Sequence, residues 1–204
     1  MATVILKRCH EYDAARLQAL LGEAMESLDL PALRPGANVL LKPNLLMRRE
    51  PDRHTTTHPA VVEALARLLA ERGCRVTIAD SPGGPFTAGL LRGLYESTGM
   101  QAAARRAGAE LNFSTESADV EVPNPCRTHM LTVLRCAAEA DAIVSVGKIK
   151  THGLTAYTGA VKNLFGLVPG MLKIDYHARF PDIDDFCGAL LDIAGWAKPC
   201  LSVL

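Results

Sequence analysis

The chain has 204 residues, 49% of them hydrophobic and 22% charged, which is enough for one well-formed core. Its 22 basic residues balance 22 acidic ones, so it lacks the long-range positive field of general nucleic-acid binders and no nucleic acid is predicted as a partner. A short apolar run at residues 4–6, and no stretch near the roughly 18 apolar residues of a membrane span, predict a cytoplasmic protein with no membrane partner.

The first part of the chain is predicted to alternate strands with helices. Residues 3–7 are predicted to form a strand, and residues 14–28 a helix, because leucines recur there at helical spacing. Residues 38–42 read as an apolar strand that is covered on both faces. The polar residues 47–57 then predict a loop.

The same alternation continues through the middle of the chain. Pro59 suits the first turn of a second helix. Residues 75–79 predict a third strand, and residues 90–107 predict a helix that Gly99 could break. Two weaker strand candidates follow, at residues 111–113 and 120–122.

The last third of the chain is less regular. Residues 131–138 are predicted to form a short helix, and the apolar residues 142–146 a buried strand. After Gly170 the pattern is irregular until a final helix at residues 183–197. Residues 200–204 read as a strand that has only begun.

This order of elements predicts an α/β fold: a three-layer, mostly parallel sheet with helices on both faces and right-handed crossovers. No internal repeat, low-complexity tract or linker divides the sequence. Residues 1–204 are therefore predicted to form a single α/β domain, incomplete at its C-terminus because the last strand is short.

Three clusters of polar residues begin within two positions of the end of a predicted strand. The first joins Lys42 to Asn44, the second runs through residues 80–84, and the third through residues 148–152. The carboxyl ends of parallel strands lie at one edge of a sheet, where the ligands of open α/β folds bind. We therefore expect the three clusters to meet at that edge.

Each cluster also has a structural interpretation that the sequence leaves open. Residues 80–84 are first of all a turn, although their backbone N–H groups could approach an anion. Lys42 could extend to the surface or point at a ligand. Lys148, Lys150 and His152 alternate, so they share one face of an extended segment, and cations gathered on one face favour an anionic partner.

Further along, Lys162 and Asn163 lie in a glycine-bounded segment and are further candidates for ligand binding. His177, with Lys173 and Asp175 nearby, lies where the pattern is irregular. It is interpreted either as an isolated surface histidine or as part of a segment that closes over the site.

No metal or nucleophile motif is predicted. No two of the six cysteines are separated by just two residues, the spacing of zinc knuckles and ferredoxin-type clusters. The pairs Cys126–His129 and His54–His58 lack a second matched pair, so no metal site is predicted. No serine lies in a G-x-S-x-G elbow, and Ser-His-Asp catalysis is not indicated.

Five motifs resemble the bacterial and archaeal family known as domain of unknown function 362. In chain order they are L-L-K-P-N-L-L (residues 40–46), T-T-H-P-A-V-V (56–62), A-D-S-P-G-G (79–84), G-K-I-K-T-H (147–152) and G-A-V-K-N-L-F-G-L-V-P-G (159–170). They occur in the family's order and cover most of the chain.

The resemblance implies a redox role, because many members carry a ferredoxin-like cysteine cluster beyond this domain and are associated with iron–sulfur clusters. This chain has no such cluster motif and stops at Leu204, where members continue through further strands, so it is either truncated or a short variant. The resemblance points to eight site candidates: Lys42, Asn44, Asp80, Lys148, Lys150, His152, Lys162 and Asn163.

The leading hypothesis from the sequence is a redox-linked enzyme domain, an oxidoreductase if it is an enzyme, that binds an anionic small molecule or cofactor in a Lys/His/Asn-lined cleft. His152 and Lys150 are the catalytic candidates, with His152 as acid or base. The candidates for binding the ligand or cofactor are Lys42, Asn44, Asp80, Ser81, Gly83, Gly84, Lys148, Thr151, Lys162 and Asn163. The alternative is a non-catalytic binding or electron-transfer module that works with a fused or separate iron–sulfur ferredoxin. No particular cofactor is predicted.

Overall fold

A five-stranded parallel sheet forms the centre of the protein. The computed structural model describes residues 3–204. Its strands are β1 (Asn38–Pro43), β2 (Arg75–Ile78), β3 (Glu110–Leu111), β4 (Ser117–Glu121), β5 (Met130–Leu134), β6 (Ala142–Val146), β7 (Lys150–His152), β8 (Ala156–Thr158) and β9 (Leu201–Val203). The main sheet has the order β3-β2-β1-β6-β9, while β4-β5 and β7-β8 are separate antiparallel pairs.

Helices join and cover these strands. They are α1 (Ala14–Glu26), α2 (Pro59–Glu71), α3 (Ala88–Ser97), α4 (Met100–Ala107), α5 (Arg135–Ala138), α6 (Ala160–Asn163), α7 (Leu172–Arg179) and α8 (Ile183–Ala197), with 3₁₀ turns at Pro51–Arg53 and Leu164–Leu167. No helix within residues 3–204 is both long enough and apolar enough to cross a membrane.

Strand β1 lies in the middle of the sheet and pairs in parallel with both of its neighbours. Val39 is opposite Val76 of β2 and Ala142 of β6. All of β1 except Asn38 is buried, and so is the whole of β6. Layers on both faces of the sheet explain why residues 39–41 and 142–144 of these strands are apolar without alternation.

Alternate residues of the central strands supply two separate hydrophobic cores. Val39 and Leu41 face a core that α2, α3 and α4 complete. Leu40 and Ile143 face a second core, which α8 and the turn Leu164–Leu167 complete. Helices therefore lie on both faces, and the predicted α/β architecture with a parallel sheet is confirmed.

The predicted strand at residues 3–7 is wrong. This segment is extended but belongs to no strand, and Val4 and Leu6 are 79% and 91% exposed. These side chains stay in solvent, so no burial of apolar surface offsets the entropy cost of ordering the segment in the sheet.

The predicted helix at residues 131–138 is wrong in its first half. Residues up to Leu134 form β5, which pairs antiparallel with β4, and only Arg135–Ala138 is helical. Leu131 and Val133 are buried in the second core with the period of two that a strand requires. The predicted break in the helix at residues 90–107 is confirmed, because Gly99, at φ 74°, separates α3 from α4.

The carboxylate of Asp192, on α8, forms hydrogen bonds with the segment that precedes β5. It is 3% exposed and accepts hydrogen bonds from the backbone N–H groups of Cys126, Arg127 and Thr128 at 2.6, 2.7 and 2.8 Å.

Asp192→Ala removes the acceptor of all three donors, and we expect it to lower the free energy of unfolding by about 3 kcal/mol in urea titrations. Asp185→Ala is the matched control, because Asp185 lies on the same helix and binds Arg127 at the surface. Equal losses in the two variants would contradict this assignment.

Candidate functional site

A buried ion pair joins the carboxyl ends of β1 and β2. Lys42 is 1% exposed and Asp80 is 4% exposed. Nζ of Lys42 lies 2.5 Å from Oδ1 of Asp80 and 2.7 Å from the carbonyl oxygen of Pro43. Burial lowers the pKa of Lys42, and the charge of Asp80 opposes that shift. Lys42 therefore turns inward instead of extending to the surface.

Asn163, in α6, completes this buried network. Its Oδ1 accepts a hydrogen bond from Nζ of Lys42 at 3.1 Å, and its Nδ2 donates to the carbonyl oxygen of Lys42 and to Oγ of Ser145, each at 3.0 Å. The second carboxylate oxygen of Asp80 accepts from the backbone N–H of Leu45 at 2.6 Å. These groups are engaged with one another, so they hold the edge of the sheet in place for the residues around it.

Gly166 lies directly against the ion pair. A methyl group at this position would overlap Nζ of Lys42 and Oδ1 of Asp80, so the chain can pass here only as bare backbone. The carbonyl oxygen of Gly166 accepts a hydrogen bond from the N–H of Ser81 at 3.0 Å. The glycine-bounded segment thus packs onto the ends of β1 and β2.

Lys150 extends the network toward the surface from the first residue of β7. Its Nζ donates to Oδ1 of Asn44 and to the carbonyl oxygen of Thr55, both at 2.7 Å. Asn44 in turn reaches Oδ1 of Asn163 at 3.4 Å. Burial lowers the pKa of Lys150, the charge of Asp80 raises it, and neighbouring lysines lower it further. The predicted meeting of the clusters after β1, β2 and β6 is therefore observed for Lys42, Asn44, Asp80 and Lys150.

His152 lies on the same face of β7 as Lys150, two residues further on. Its Nδ1 accepts hydrogen bonds from the backbone N–H groups of Leu154 and Thr155 at 3.1 and 3.3 Å. The neutral imidazole must therefore carry its proton on Nε2. Burial lowers the pKa of His152, and the charges of Lys162, His177 and Lys150 lower it as well.

Lys162 and His177 lie against the phenyl rings of Phe165 and Phe186. Nζ of Lys162 lies 5.7 Å from the ring centre of Phe165 and 5.8 Å from that of Phe186. His177 stacks on Phe186 with ring centres 4.5 Å apart. Burial lowers the pKa of Lys162 and of His177. His177 lies on a regular helix, α7, which the sequence pattern did not predict.

Lys173 is a site residue that the sequence analysis did not assign. Its Nζ donates to the carbonyl oxygens of Ser81 and Val168 at 2.8 and 2.5 Å, and lies 5.7 Å from the ring centre of Phe165. Burial lowers the pKa of Lys173 to about 7, although the charge of Asp80 acts in the opposite direction. The available signal was a lysine between two apolar residues directly after the glycine-bounded motif. We call Lys150, Lys162, Lys173, His152 and His177 the cationic cluster.

Lys148 is directed away from the buried network. Its Nζ lies 3.2 Å from the hydroxyl oxygen of Tyr12 and 5.7 Å from the centre of that ring. Tyr12 in turn stacks on His58 with ring centres 3.9 Å apart. Thr151 is exposed and lies on the opposite face of β7 from Lys150.

Residues 81–84 contribute backbone rather than side chains. Ser81 donates its N–H to Gly166 and accepts from Lys173 through its carbonyl oxygen. Gly83 is exposed, and Gly84 adopts φ 98°, which favours the turn interpretation of this segment. The carbonyl oxygen of Gly84 faces Gly170 so closely that a methyl group on Gly170 would overlap it.

The fold and the site define an α/β domain with an open parallel sheet and partly buried cations at the carboxyl edge of that sheet. The chain belongs to the family described as "Domain of unknown function (DUF362)", whose model matches residues 39–204. It is 33% identical over 208 residues to "Thylakoid-associated protein sll1697" of Synechocystis, an alignment that covers 99% of this chain and 62% of that protein.

Among solved structures, the chain is similar to the lactate racemase apoprotein from Thermoanaerobacterium thermosaccharolyticum. The TM-score is 0.55 with 15% sequence identity, and the match covers 90% of this chain and 47% of that one. At this identity the likeness shows a shared fold alone. The chain spans less than two thirds of the length of either protein.

Proposed function

We propose that this chain binds an anionic small molecule or cofactor at the cationic cluster, and that it is an enzyme domain in which the Nε2–H group of His152 donates a hydrogen bond to the ligand. The observation that carries the proposal is a set of three partly buried lysines without a counter-charge. Within residues 3–204, no Asp or Glu oxygen lies within ion-pairing distance of Lys150, Lys162 or Lys173.

Removing a cation from water without an anion beside it is costly, and burial accordingly lowers the pKa of each of these lysines. Asp80 is the carboxylate whose charge acts on Lys150 and Lys173, but its two oxygens already accept from Lys42 and Leu45. A bound carboxylate or phosphate would supply the missing negative charge and charge-assisted hydrogen bonds. The arrangement therefore favours an anionic ligand.

His152 supplies a hydrogen-bond donor beside this charge. Its Nδ1 is held by two backbone N–H groups, so one nitrogen, Nε2, remains for a ligand. Burial and neighbouring cations lower the pKa of the imidazole, which favours its neutral form, and the Nε2–H group of that form can donate a hydrogen bond to a bound anion. Lys150, on the same face of β7, would hold the anionic group next to it.

Thermal stabilisation by simple anions tests this proposal. Pyruvate and inorganic phosphate are expected to raise the melting temperature of the chain above its value in sodium chloride of equal ionic strength. Lys150→Met and Lys162→Met are each expected to weaken this stabilisation by about tenfold in apparent affinity, because one charge-assisted contact is lost. Lys7→Met is the matched control, since Lys7 pairs with Glu23 at the surface. Shifts no larger than those of chloride would overturn the proposal.

The redox link, a ferredoxin-like partner and a cytoplasmic location stay predictions based on the sequence. An iron–sulfur cluster is usually held by four protein ligands. Within the part of the chain that the structure describes, no three His, Cys, Asp or Glu side chains are grouped so as to hold a metal ion. We expect the anaerobically purified chain to contain iron and acid-labile sulfide well below one cluster per chain. Stoichiometric iron and a cluster-like visible spectrum would instead favour the electron-transfer alternative.

A further inference from the structure

The amine of Lys173 is held in an unusual way. It reaches from the first turn of α7 to the carbonyl oxygens of Ser81 and Val168, at 2.8 and 2.5 Å. No carboxylate of residues 3–204 forms an ion pair with it. Both of its acceptors are neutral backbone groups on two different segments, so the position of Nζ is fixed without a counter-charge.

The two acceptors match a neutral amine better than an ammonium group. A neutral lysine amine has two N–H donors and one lone pair, whereas the ammonium form has three donors. Ser81 and Val168 accept two hydrogen bonds, and a third N–H would have no acceptor within residues 3–204. In the neutral form both donors are satisfied and the lone pair is left free to react.

The surroundings of Lys173 also oppose a positive charge on it. Burial opposes protonation most strongly, the charge of Asp80 favours it, and the charges of Lys42 and Lys162 oppose it. Nζ of Lys173 and Nζ of Lys162 each lie 5.7 Å from the ring centre of Phe165. An amine able to act as a nucleophile is therefore placed beside the same aromatic ring as a cation able to bind a carboxylate.

We propose that Lys173 is a nucleophile that forms an imine with the carbonyl carbon of a 2-oxo acid whose carboxylate is bound by Lys150 and Lys162 of the cationic cluster. This inference rests on the proposed anion-binding function and names the class of ligand. The lone pair of Nζ attacks the carbonyl carbon and the carbon–oxygen bond breaks. Both hydrogens of the amine leave with that oxygen as water, so the step requires no oxidant or reductant. The imine then withdraws electrons from the neighbouring carbon–hydrogen bond.

Borohydride trapping tests the proposal on the full chain. The protein is incubated with pyruvate and sodium borohydride, which reduces an imine to a stable amine, and the labelled peptide is identified by mass spectrometry. We expect one pyruvate-derived group per chain, located on Lys173. Labelling spread evenly over exposed lysines such as Lys7 and Lys198, with no excess at Lys173, would overturn the proposal.

Methyl pyruvate is the matched probe, because it has a similar carbonyl group but no carboxylate. In the wild-type chain, pyruvate is expected to label Lys173 at concentrations about tenfold lower than its ester. Lys162→Met is expected to remove that advantage while leaving Lys173 reactive. Equal labelling by the acid and the ester in the wild-type chain would contradict recognition of an oxo acid.

Two variants of Lys173 show whether a loss of labelling comes from the missing amine or from a failure to fold. Lys173→Met removes the amine without adding a charge, whereas Lys173→Arg introduces a cation that cannot form an imine. Both are expected to abolish labelling, with cooperative melting confirming that each is folded. If phosphate and pyruvate stabilise the chain but no adduct is trapped at Lys173, this inference fails and the proposed function stands. If neither anion stabilises the chain, the proposed function itself fails.

Discussion

Asp80→Asn is expected to lower the free energy of unfolding by about 3 to 5 kcal/mol, because it leaves the charge of Lys42 buried without its partner. Lys42 is 1% exposed, and neither of its remaining acceptors, Pro43 and Asn163, carries a charge. Asparagine has nearly the shape of aspartate, so the effect is one of charge rather than of packing. Chemical denaturation at pH 7 measures the loss.

The pH dependence of this loss of stability distinguishes an effect of charge from an effect of packing. Asp80 raises the pKa of Lys42 through its charge and its hydrogen bond, against the effect of burial. Without Asp80, the pKa of Lys42 falls further below its ordinary value, and the unfolded chain binds the additional proton at alkaline pH. Stability then increases with pH in this range, so the loss caused by Asp80→Asn should shrink.

The double variant Lys42→Met, Asp80→Asn is the control. It removes both charges, leaves no buried unpaired cation, and is expected to recover part of the lost stability at pH 7. The charge of Asp80 also raises the pKa of Lys150 and of Lys173. Its loss therefore lowers these two pKa values, as it lowers that of Lys42. A loss that is identical at all pH values and equally large in the double variant would contradict the ion-pair explanation.

The parts of the fold that the sequence predicted are those whose apolar pattern has one consistent period. β1 and β6 each contain a continuous apolar run, at residues 39–41 and 142–144, and α8 was predicted at its observed bounds, because each is packed against a large core. Residues 131–134 were misassigned because an apolar run of that length fits a strand and a helix equally well. Pairing with β4 decides between them, and that contact isn't visible in local sequence.

Most residues of the candidate site were predicted from strand ends, and Lys162 and Asn163 from the glycine-bounded segment. Lys42, Asn44, Asp80 and Lys150 were expected to meet because parallel strands end at one edge, and they do meet. Lys173 and His177 lie on α7, and they reach the site through the packing of this helix on Phe165 and Phe186. That packing depends on tertiary structure, so spacing along the chain could not reveal it.

Lys173 is expected to make the stability of the chain rise with pH above neutrality. Burial lowers the pKa of Lys173 to about 7, whereas an unfolded lysine titrates near 10.4. Between these two values the unfolded state binds the proton and the folded state does not, so the free energy of unfolding increases with pH. The expected contribution is about 2 kcal/mol between pH 7 and pH 9, at a slope approaching 1.4 kcal/mol per pH unit.

The measurement is urea unfolding of the wild-type chain and of Lys173→Met across this pH range. Lys42, Lys150 and Lys162 also have lowered pKa values and contribute in the same direction, so the difference between the two proteins isolates Lys173. Lys7→Met is again the reference, because Lys7 lies at the surface beside Glu23. The wild-type chain should therefore gain stability relative to Lys173→Met as the pH rises. Parallel pH profiles would mean that the amine of Lys173 stays protonated in the folded chain, and it would then lack the lone pair that an imine requires.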